Sequence, residues 1–107
     1  MEKRKHPRIK INNLSIDISD GSEAFTGSVA DISLSGMRIN DVPKRLNLES
    51  RQLSVVFSEN RKIFRMHIKP RWHSNKEDQI SMGVRIVNTP WNWTDFIIKH
   101  EMMSIFN

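Results

Sequence analysis

Apolar residues recur at every second position over most of the chain, which is the spacing of half-buried β-strands. Residues 14–19 (LSIDIS) alternate leucine or isoleucine with polar side chains. Strand-like patterns recur in five later segments, at 24–33, 37–40, 52–58, 63–73 and 80–87. Turn-forming residues separate several of these segments, as in DGSE at 20–23. The pattern predicts six strands joined mostly by short turns.

Two residues indicate irregular places within the strands. Pro70 cannot donate a hydrogen bond to a neighbouring strand, so its strand is predicted to lie at a sheet edge or to be bulged there. Gly27 lies inside the second predicted strand, and we expect a kink or bulge near it.

The C-terminal segment has a different period. Between residues 91 and 106 the apolar positions follow helical spacing, and Thr89-Pro90 is typical of an N-cap followed by the first helical residue. We interpret Trp91 and Trp93 as anchors of this helix. The chain is therefore predicted to be all-β, a six-stranded antiparallel β-barrel with one C-terminal α-helix at 91–106.

Composition narrows the class of protein. The chain has 107 residues, enough for one domain, and no cysteine, which excludes disulfides, thiolate zinc ligands and thiol catalysis. No apolar run approaches the roughly 18 residues of a membrane span, and the N-terminus lacks the apolar part of a signal peptide. We therefore expect a cytoplasmic protein without membrane insertion. The four histidines lack metal-ligand spacing and no nucleophile–base pair is visible, so neither a metal site nor an enzyme is predicted.

Positive charge is concentrated at the N-terminus. Residues 1–10 hold five Lys or Arg side chains and one Glu, so four of the five net positive charges lie there. Such a segment attracts anions without specifying which anion.

Two motifs indicate what the anion is. Arg4 and Arg8 are separated by three residues that include Pro7, which disfavours a helix, so the segment is predicted to be extended with the two arginines about 13 Å apart. Guanidinium groups bind phosphate bidentately or donate to the O6/N7 edge of guanine. In DISLSG at 31–36, Asp31 offers a carboxylate for the N1–H and N2–H donors of guanine, Ser33 offers a hydroxyl, and Gly36 permits a tight turn or close approach of a ligand.

With these motifs the chain resembles the PilZ domain, the bacterial receptor module for cyclic di-GMP. The family signature combines R-x-x-x-R in an N-terminal loop with [D/N]-x-S-x-x-G on the barrel, and RKHPR and DISLSG match both parts in order. The segments FTGSVADIS and ISMGVRIV, the latter with Gly83, also resemble family strands. The similarity covers about residues 4 to 90.

The resemblance implies a site and a mechanism. Cyclic di-GMP would be the ligand, with no cofactor, contacted by Arg4, Arg8, Asp31, Ser33 and Gly36. Residues 1–12 would form the arginine-rich switch loop and 13–107 the barrel domain with its helix. We further assign four residues to the ligand site: Lys3, Lys5, Trp72 and Gly83. Lys3 precedes the first arginine and favours two bound ligand molecules, and Trp72 is the candidate for stacking on a base.

The expected function is that of a receptor or adaptor which orders its N-terminal loop on binding cyclic di-GMP and signals to an effector protein. Motility, pilus or exopolysaccharide machinery would be the partner, because no output domain is visible in the sequence. Two alternatives stay open: a PilZ-like adaptor that binds only protein, and a non-specific nucleic-acid-binding protein that uses the basic segment. A solvated strand face is preferred over a nucleic-acid track for the stripe Arg65, His67, Lys69 and Arg71, since no aromatic residues interleave there.

Overall fold

The computed structural model describes residues 8–59 and 61–106 and contains the predicted barrel. Its strands, in chain order, are β1 (Ile9–Ser19), β2 (Ala24–Ile32), β3 (Gly36–Pro43), β4 (Ser54–Glu59), β5 (Lys62–Lys76) and β6 (Gln79–Ile86), and one helix follows, α1 (Trp93–Phe106). The strands close in the order β1-β2-β3-β6-β5-β4, and every neighbouring pair is antiparallel. The all-β, six-stranded class with one C-terminal helix is confirmed.

The alternation of the sequence explains the core. Inward-facing residues of all six strands are buried, as in β5, where Phe64, Met66 and Ile68 are covered while Arg65 and His67 between them are exposed. Burying each large apolar side chain contributes about 1.5–3 kcal/mol before the entropy of folding is subtracted. The barrel interior is thus a packed core.

The strands contain several register irregularities, and those in β2 and β5 shape the outer surface near residues 31 and 72. In β5, Pro70 pairs with Val84 and Trp72 with Gly83, so Arg71 is an extra residue. A closed barrel has no edge at this place, and Pro70 is accommodated next to the bulge instead. In β2 the extra residue is Ala30, between Val29 and Asp31. The kink or bulge expected near Gly27 is therefore displaced to Ala30, and Gly27 itself lies in regular register with Ile16 of β1.

Helix α1 packs at the end of the barrel where the β2–β3 and β4–β5 turns lie. Trp93 is fully buried, stacks on Phe96 at 5.2 Å between ring centroids, and meets Phe64 edge-on at 5.7 Å. The helix begins at Trp93 and not at 91, because residues 91–92 form a turn in which the Trp93 amide donates to the Pro90 carbonyl. Trp91 is 89% exposed, so of the two predicted anchors only Trp93 serves as one.

The boundary predicted for the N-terminal loop also changes. Strand β1 begins at Ile9, which is buried and pairs with Ile32, so residues 9–12 belong to the barrel and not to a loop at 1–12. Within the described ranges, no helix is long and apolar enough to cross a membrane.

Candidate functional site

Arg8 of the first motif and Asp31 of the second meet on the outside of the barrel. Arg8 stands immediately before β1, and its guanidinium donates to Asp31 Oδ1 of β2 at 2.7 Å. Both side chains are partly exposed, at 28% for Arg8 and 17% for Asp31. Arg8 Nε is buried and has no hydrogen-bond partner among the described residues.

The bulge in β2 is the reason that Asp31 faces outward. Val29 and Ile32 both point into the core, and strict alternation cannot place two inward residues three apart. The extra residue Ala30 resolves this conflict, so that Asp31 pairs with Lys10 on one side and with Arg38 on the other. A local irregularity thus presents the carboxylate at the surface.

Ser33 holds the turn that follows Asp31. Its hydroxyl oxygen accepts from the Gly36 amide at 3.1 Å, and its own amide donates to the Gly36 carbonyl at 2.8 Å. The side chain is buried, with 4% exposure. The Ser33 carbonyl accepts from the indole Nε1 of Trp93 at 3.1 Å, which attaches helix α1 to the motif. Ser33 therefore has a structural role in this turn, and its contact with a ligand stays a prediction.

Gly36 is required by the packing of β3 against β6. A Cβ at this position would overlap the backbone carbonyl oxygen of Val84, which cannot move without disturbing the sheet. The motif glycine therefore lets β3 start close to β6, directly after the turn. A role in close approach of a ligand is compatible with this arrangement but is not tested by it.

Trp72 and Gly83 form a pair on the outer surface. The bulge at Arg71 places Trp72 opposite Gly83, and a Cβ at residue 83 would lie only 2.6 Å from Trp72 Cε2. The indole thus lies against the glycine backbone, with 42% of Trp72 exposed. The Arg38 guanidinium lies 5.6 Å from the centroid of the indole ring, within the range of a cation–π contact.

These residues belong to one row that crosses five strands. Consecutive cross-strand partners run from Lys10 to Asp31, Arg38, Gly83 and Trp72. At about 4.8 Å per strand, the path along the curved barrel wall from Asp31 to Trp72 is roughly 14 Å. The buried neighbours of row members, such as Ile32, Met37 and Met82, show that the row faces outward. We call this set the outer row.

Sequence reasoning missed Arg38, the central cation of the outer row. The only signal was its place two residues after Gly36, between the inward-facing Met37 and Ile39. Its pairing with Asp31 follows from the bulge at Ala30, which the sequence did not locate. Lys3, Arg4 and Lys5 lie outside the described residues. Within the described ranges, no cluster of His, Asp or Glu could hold a metal ion.

The comparisons with known proteins agree with the fold and the motifs. A family model for the PilZ domain matches residues 2–90, and the chain belongs to this family. PilZ domains bind cyclic di-GMP as a ligand and not as a cofactor. The resemblance inferred from the two motifs is confirmed. No curated protein matches the chain in sequence.

Solved structures with the same fold include three informative neighbours. The inhibitor of motility MotI/DgrA from Bacillus subtilis has a TM-score of 0.78 and 14% identity, matched over 100% of this chain and 53% of its own. The PilZ domain of YcgR from Escherichia coli, solved with c-di-GMP, has a TM-score of 0.72 and 14% identity, matched over 96% of this chain and 95% of its own. PlzA from Borreliella burgdorferi, in complex with c-di-GMP, has a TM-score of 0.66 and 16% identity, matched over 92% of this chain and 40% of its own. The chain thus spans about half of MotI/DgrA, and identities this low show the fold alone.

Proposed function

We propose that this chain is a cyclic di-GMP receptor that signals to a partner protein. The observation that carries the proposal is the 2.7 Å ion pair between Arg8 and Asp31. These side chains come from two motifs 23 residues apart, and both are partly exposed beside each other. A guanidinium and a carboxylate in this arrangement offer both signs of charge to one ligand.

Asp31 is suited to hold a guanine edge once it exchanges its partner. Its carboxylate accepts from the N1–H and N2–H donors of guanine, which neutral acceptors bind more weakly. The ion pair with Arg8 is partly exposed, so its loss costs at most about 1 kcal/mol. Charge-assisted bonds to the ligand, at about 1.5–3 kcal/mol each, exceed that cost.

Arg8 is suited to bind phosphate or a guanine edge. Its Nε is buried and lacks a partner in the described part of the chain, and an unmet buried donor costs about 1–3 kcal/mol. A phosphate oxygen or the O6/N7 edge of guanine would satisfy it. Arg4, with Lys3 and Lys5 beside it, would close over the ligand from the segment that precedes β1. Ordering these residues at about 1–2 kcal/mol each would adjust the affinity.

Helix α1 provides a route from the site to a partner. Its Trp93 binds the turn that carries Ser33, so a change in this turn would be transmitted to the helix. The helix region also exposes apolar side chains, including Trp91, Ile98 and Met102. The partner would be an effector in the cytoplasm, and the name of the Bacillus neighbour, an inhibitor of motility, favours motility machinery over pilus or exopolysaccharide machinery.

Isothermal titration calorimetry with cyclic di-GMP tests the proposal. We expect saturable binding, lost by at least a hundredfold in Arg8→Ala and in Asp31→Ala. Matched controls are Arg65→Ala and Asp17→Ala, which remove an exposed arginine and an exposed aspartate away from the outer row and should bind as the unaltered chain does. The stoichiometry of one or two ligands tests the interpretation of Lys3.

Two results would replace the proposal by its alternatives. Absence of heat at tens of micromolar ligand would favour an adaptor that binds only protein. Binding of many RNA or DNA sequences, with affinity that falls steeply with salt and is unchanged in Asp31→Ala, would favour a non-specific nucleic-acid-binding protein.

A further inference from the structure

Arg38 is placed between a carboxylate and an aromatic surface on the outer row. Asp31 is its cross-strand neighbour on β2, and Gly83, covered by Trp72, is its neighbour on β6. Its side chain is exposed. The position is therefore adjacent to the proposed ligand site and accessible from solvent.

The guanidinium of Arg38 has N–H donors without a hydrogen-bond partner among the described residues. Asp31 accepts from Arg8 and not from Arg38, although Arg38 stands opposite Asp31 in the sheet. In the part of the chain that the structure describes, the contact with the Trp72 ring is the one polar or aromatic interaction of the Arg38 side chain. A guanidinium carries five N–H donors, and a ring contact uses its charge and not those donors. The contact also limits the rotamers of a long side chain, which reduces the entropy lost on binding.

We propose that Arg38 binds the phosphodiester of the cyclic dinucleotide. This inference rests on the proposed function and adds a residue outside both sequence motifs. The order carboxylate, guanidinium, indole along the outer row corresponds to the order guanine edge, phosphate, base face along a dinucleotide. Asp31 holds one base by its edge, Trp72 stacks on the other, and Arg38 neutralises the negative charge between them. The Trp72 indole covers Gly83 of β6 and contacts Arg38 of β3, so its ring lies nearer to Asp31 than the Trp72 backbone on β5 does.

The local charge agrees with this assignment. Lys10, Asp31 and Arg38 lie in adjacent strands, and Arg8 adds a further positive charge beside Asp31. Once a guanine binds Asp31, Arg8, just before β1, and Arg38, in β3, flank it. Two cations on either side of a bound base suit a ligand with two phosphates.

Three substitutions separate a phosphate contact from other roles. Arg38→Lys keeps the charge, Arg38→Gln keeps N–H donors without the charge, and Arg38→Ala removes both. We expect Kd for cyclic di-GMP to rise about tenfold to a hundredfold in the Ala and Gln variants, the worth of one charge-assisted bond, and by only a few-fold in the Lys variant. Raising the salt concentration should weaken binding by the Ala variant less than binding by the unaltered chain.

The controls make failure of this inference distinguishable from failure of the proposed function. Arg65→Ala removes another exposed arginine and should leave Kd unchanged, and thermal denaturation should give the same midpoint for every variant because Arg38 is exposed. If the unaltered chain binds and Arg38→Ala binds equally well, Arg38 has no role while the receptor function stands. If the Arg38→Gln variant binds like the unaltered chain and the Arg38→Lys variant binds like Arg38→Ala, Arg38 donates hydrogen bonds to a base and the phosphate assignment is wrong. If the unaltered chain does not bind, both proposals are overturned.

Discussion

The two ends of the barrel each contain an aspartate beside a turn, and the two carboxylates are satisfied in different ways. At the β1–β2 turn, Asp20 accepts from three backbone amides, those of Ser22 and Glu23 at 2.9 Å and of Asn47 at 3.0 Å. At the opposite end of the same hairpin, Asp31 accepts from the side chain of Arg8. Backbone donors cannot leave without unfolding the turn, whereas a side chain can rotate away. The first carboxylate is therefore fixed in the structure and the second is open to exchange.

The surroundings of the two aspartates extend this difference. The backbone carbonyl of Asp20 also accepts from the Ser50 hydroxyl at 2.6 Å, and this bond links the β3–β4 connection to the β1–β2 turn. The Asp31 end instead carries the outer row, with a partly exposed tryptophan and an arginine that has spare donors. The hydrogen bonds at the Asp20 end hold two connections together, whereas the Asp31 end has the features expected of a binding surface.

The same Asp→Asn substitution at the two ends should affect ligand binding at one end and stability at the other. Asp31→Asn should weaken cyclic di-GMP binding at least a hundredfold, because an amide nitrogen opposes the guanine donors, and should change the free energy of unfolding by at most about 1 kcal/mol. Asp20→Asn should lower the urea midpoint and leave Kd unchanged. Calorimetry and urea denaturation on both variants measure the two effects. A loss of stability in Asp31→Asn as large as in Asp20→Asn would remove the distinction between the ends.

Trp93→Phe tests whether the proposed ligand site at the Asp31 end depends on helix α1. Phenylalanine keeps an aromatic ring in the core but removes the donor to the Ser33 carbonyl, which leaves a buried acceptor unpaired. We expect a loss of about 1–3 kcal/mol in the free energy of unfolding and weaker binding of cyclic di-GMP. Phe96→Leu, another aromatic change in α1 without this hydrogen bond, is the control and should lower stability without a specific loss of affinity.

A pair of glycine substitutions separates packing from ligand contact. Gly36→Ala places a methyl group against the Val84 backbone, and we expect a loss of about 1–3 kcal/mol in unfolding free energy, as for overpacking. Gly83→Ala meets the side chain of Trp72, which is exposed and able to rotate, so stability should change less. Displacing the indole should instead weaken cyclic di-GMP binding about tenfold, the worth of one stacking contact. Equal loss of stability in the two variants would show that the indole is fixed.

The sequence predicted the barrel from alternation, because each strand of a small barrel has one covered and one exposed face, and it predicted the helix from a different apolar spacing. It also predicted the two motifs that define the family. It did not locate the bulge at Ala30, since that bulge follows from the need to bury both Val29 and Ile32 in a closed barrel. Arg38 was missed for the same reason: its neighbours are set by cross-strand register, which local patterns do not encode.

The start of helix α1 was also mispredicted from local sequence, at residue 91 and not at Trp93. Thr89-Pro90 has the composition of a helix N-terminus, yet the chain makes another turn before Trp93 enters the core. Burial of a large aromatic side chain contributes more than one capping bond, at about 1.5–3 against ~1 kcal/mol. Tertiary packing therefore decided where α1 begins, and propensity alone could not.

The pH dependence of stability gives the smallest expected effect and concerns the Asp20 end. Hydrogen bonds from the backbone amides of Glu23, Asn47 and Ser22 lower the pKa of Asp20 below its ordinary value of 3.8. A carboxyl whose pKa is lower in the folded state stabilises the fold fully above its unfolded pKa, and this contribution is lost as pH falls below 3.8 through the folded pKa. Urea denaturation of the unaltered chain and Asp20→Asn between pH 6 and about pH 2.5 should show a constant difference above about pH 5 that narrows below 3.8. Because the other carboxyl groups titrate in both proteins, the difference isolates Asp20. A difference that stays constant over the whole range would mean that these amides bind the neutral acid as well as the carboxylate, and Asp20 would then be no more fixed by charge than Asp31.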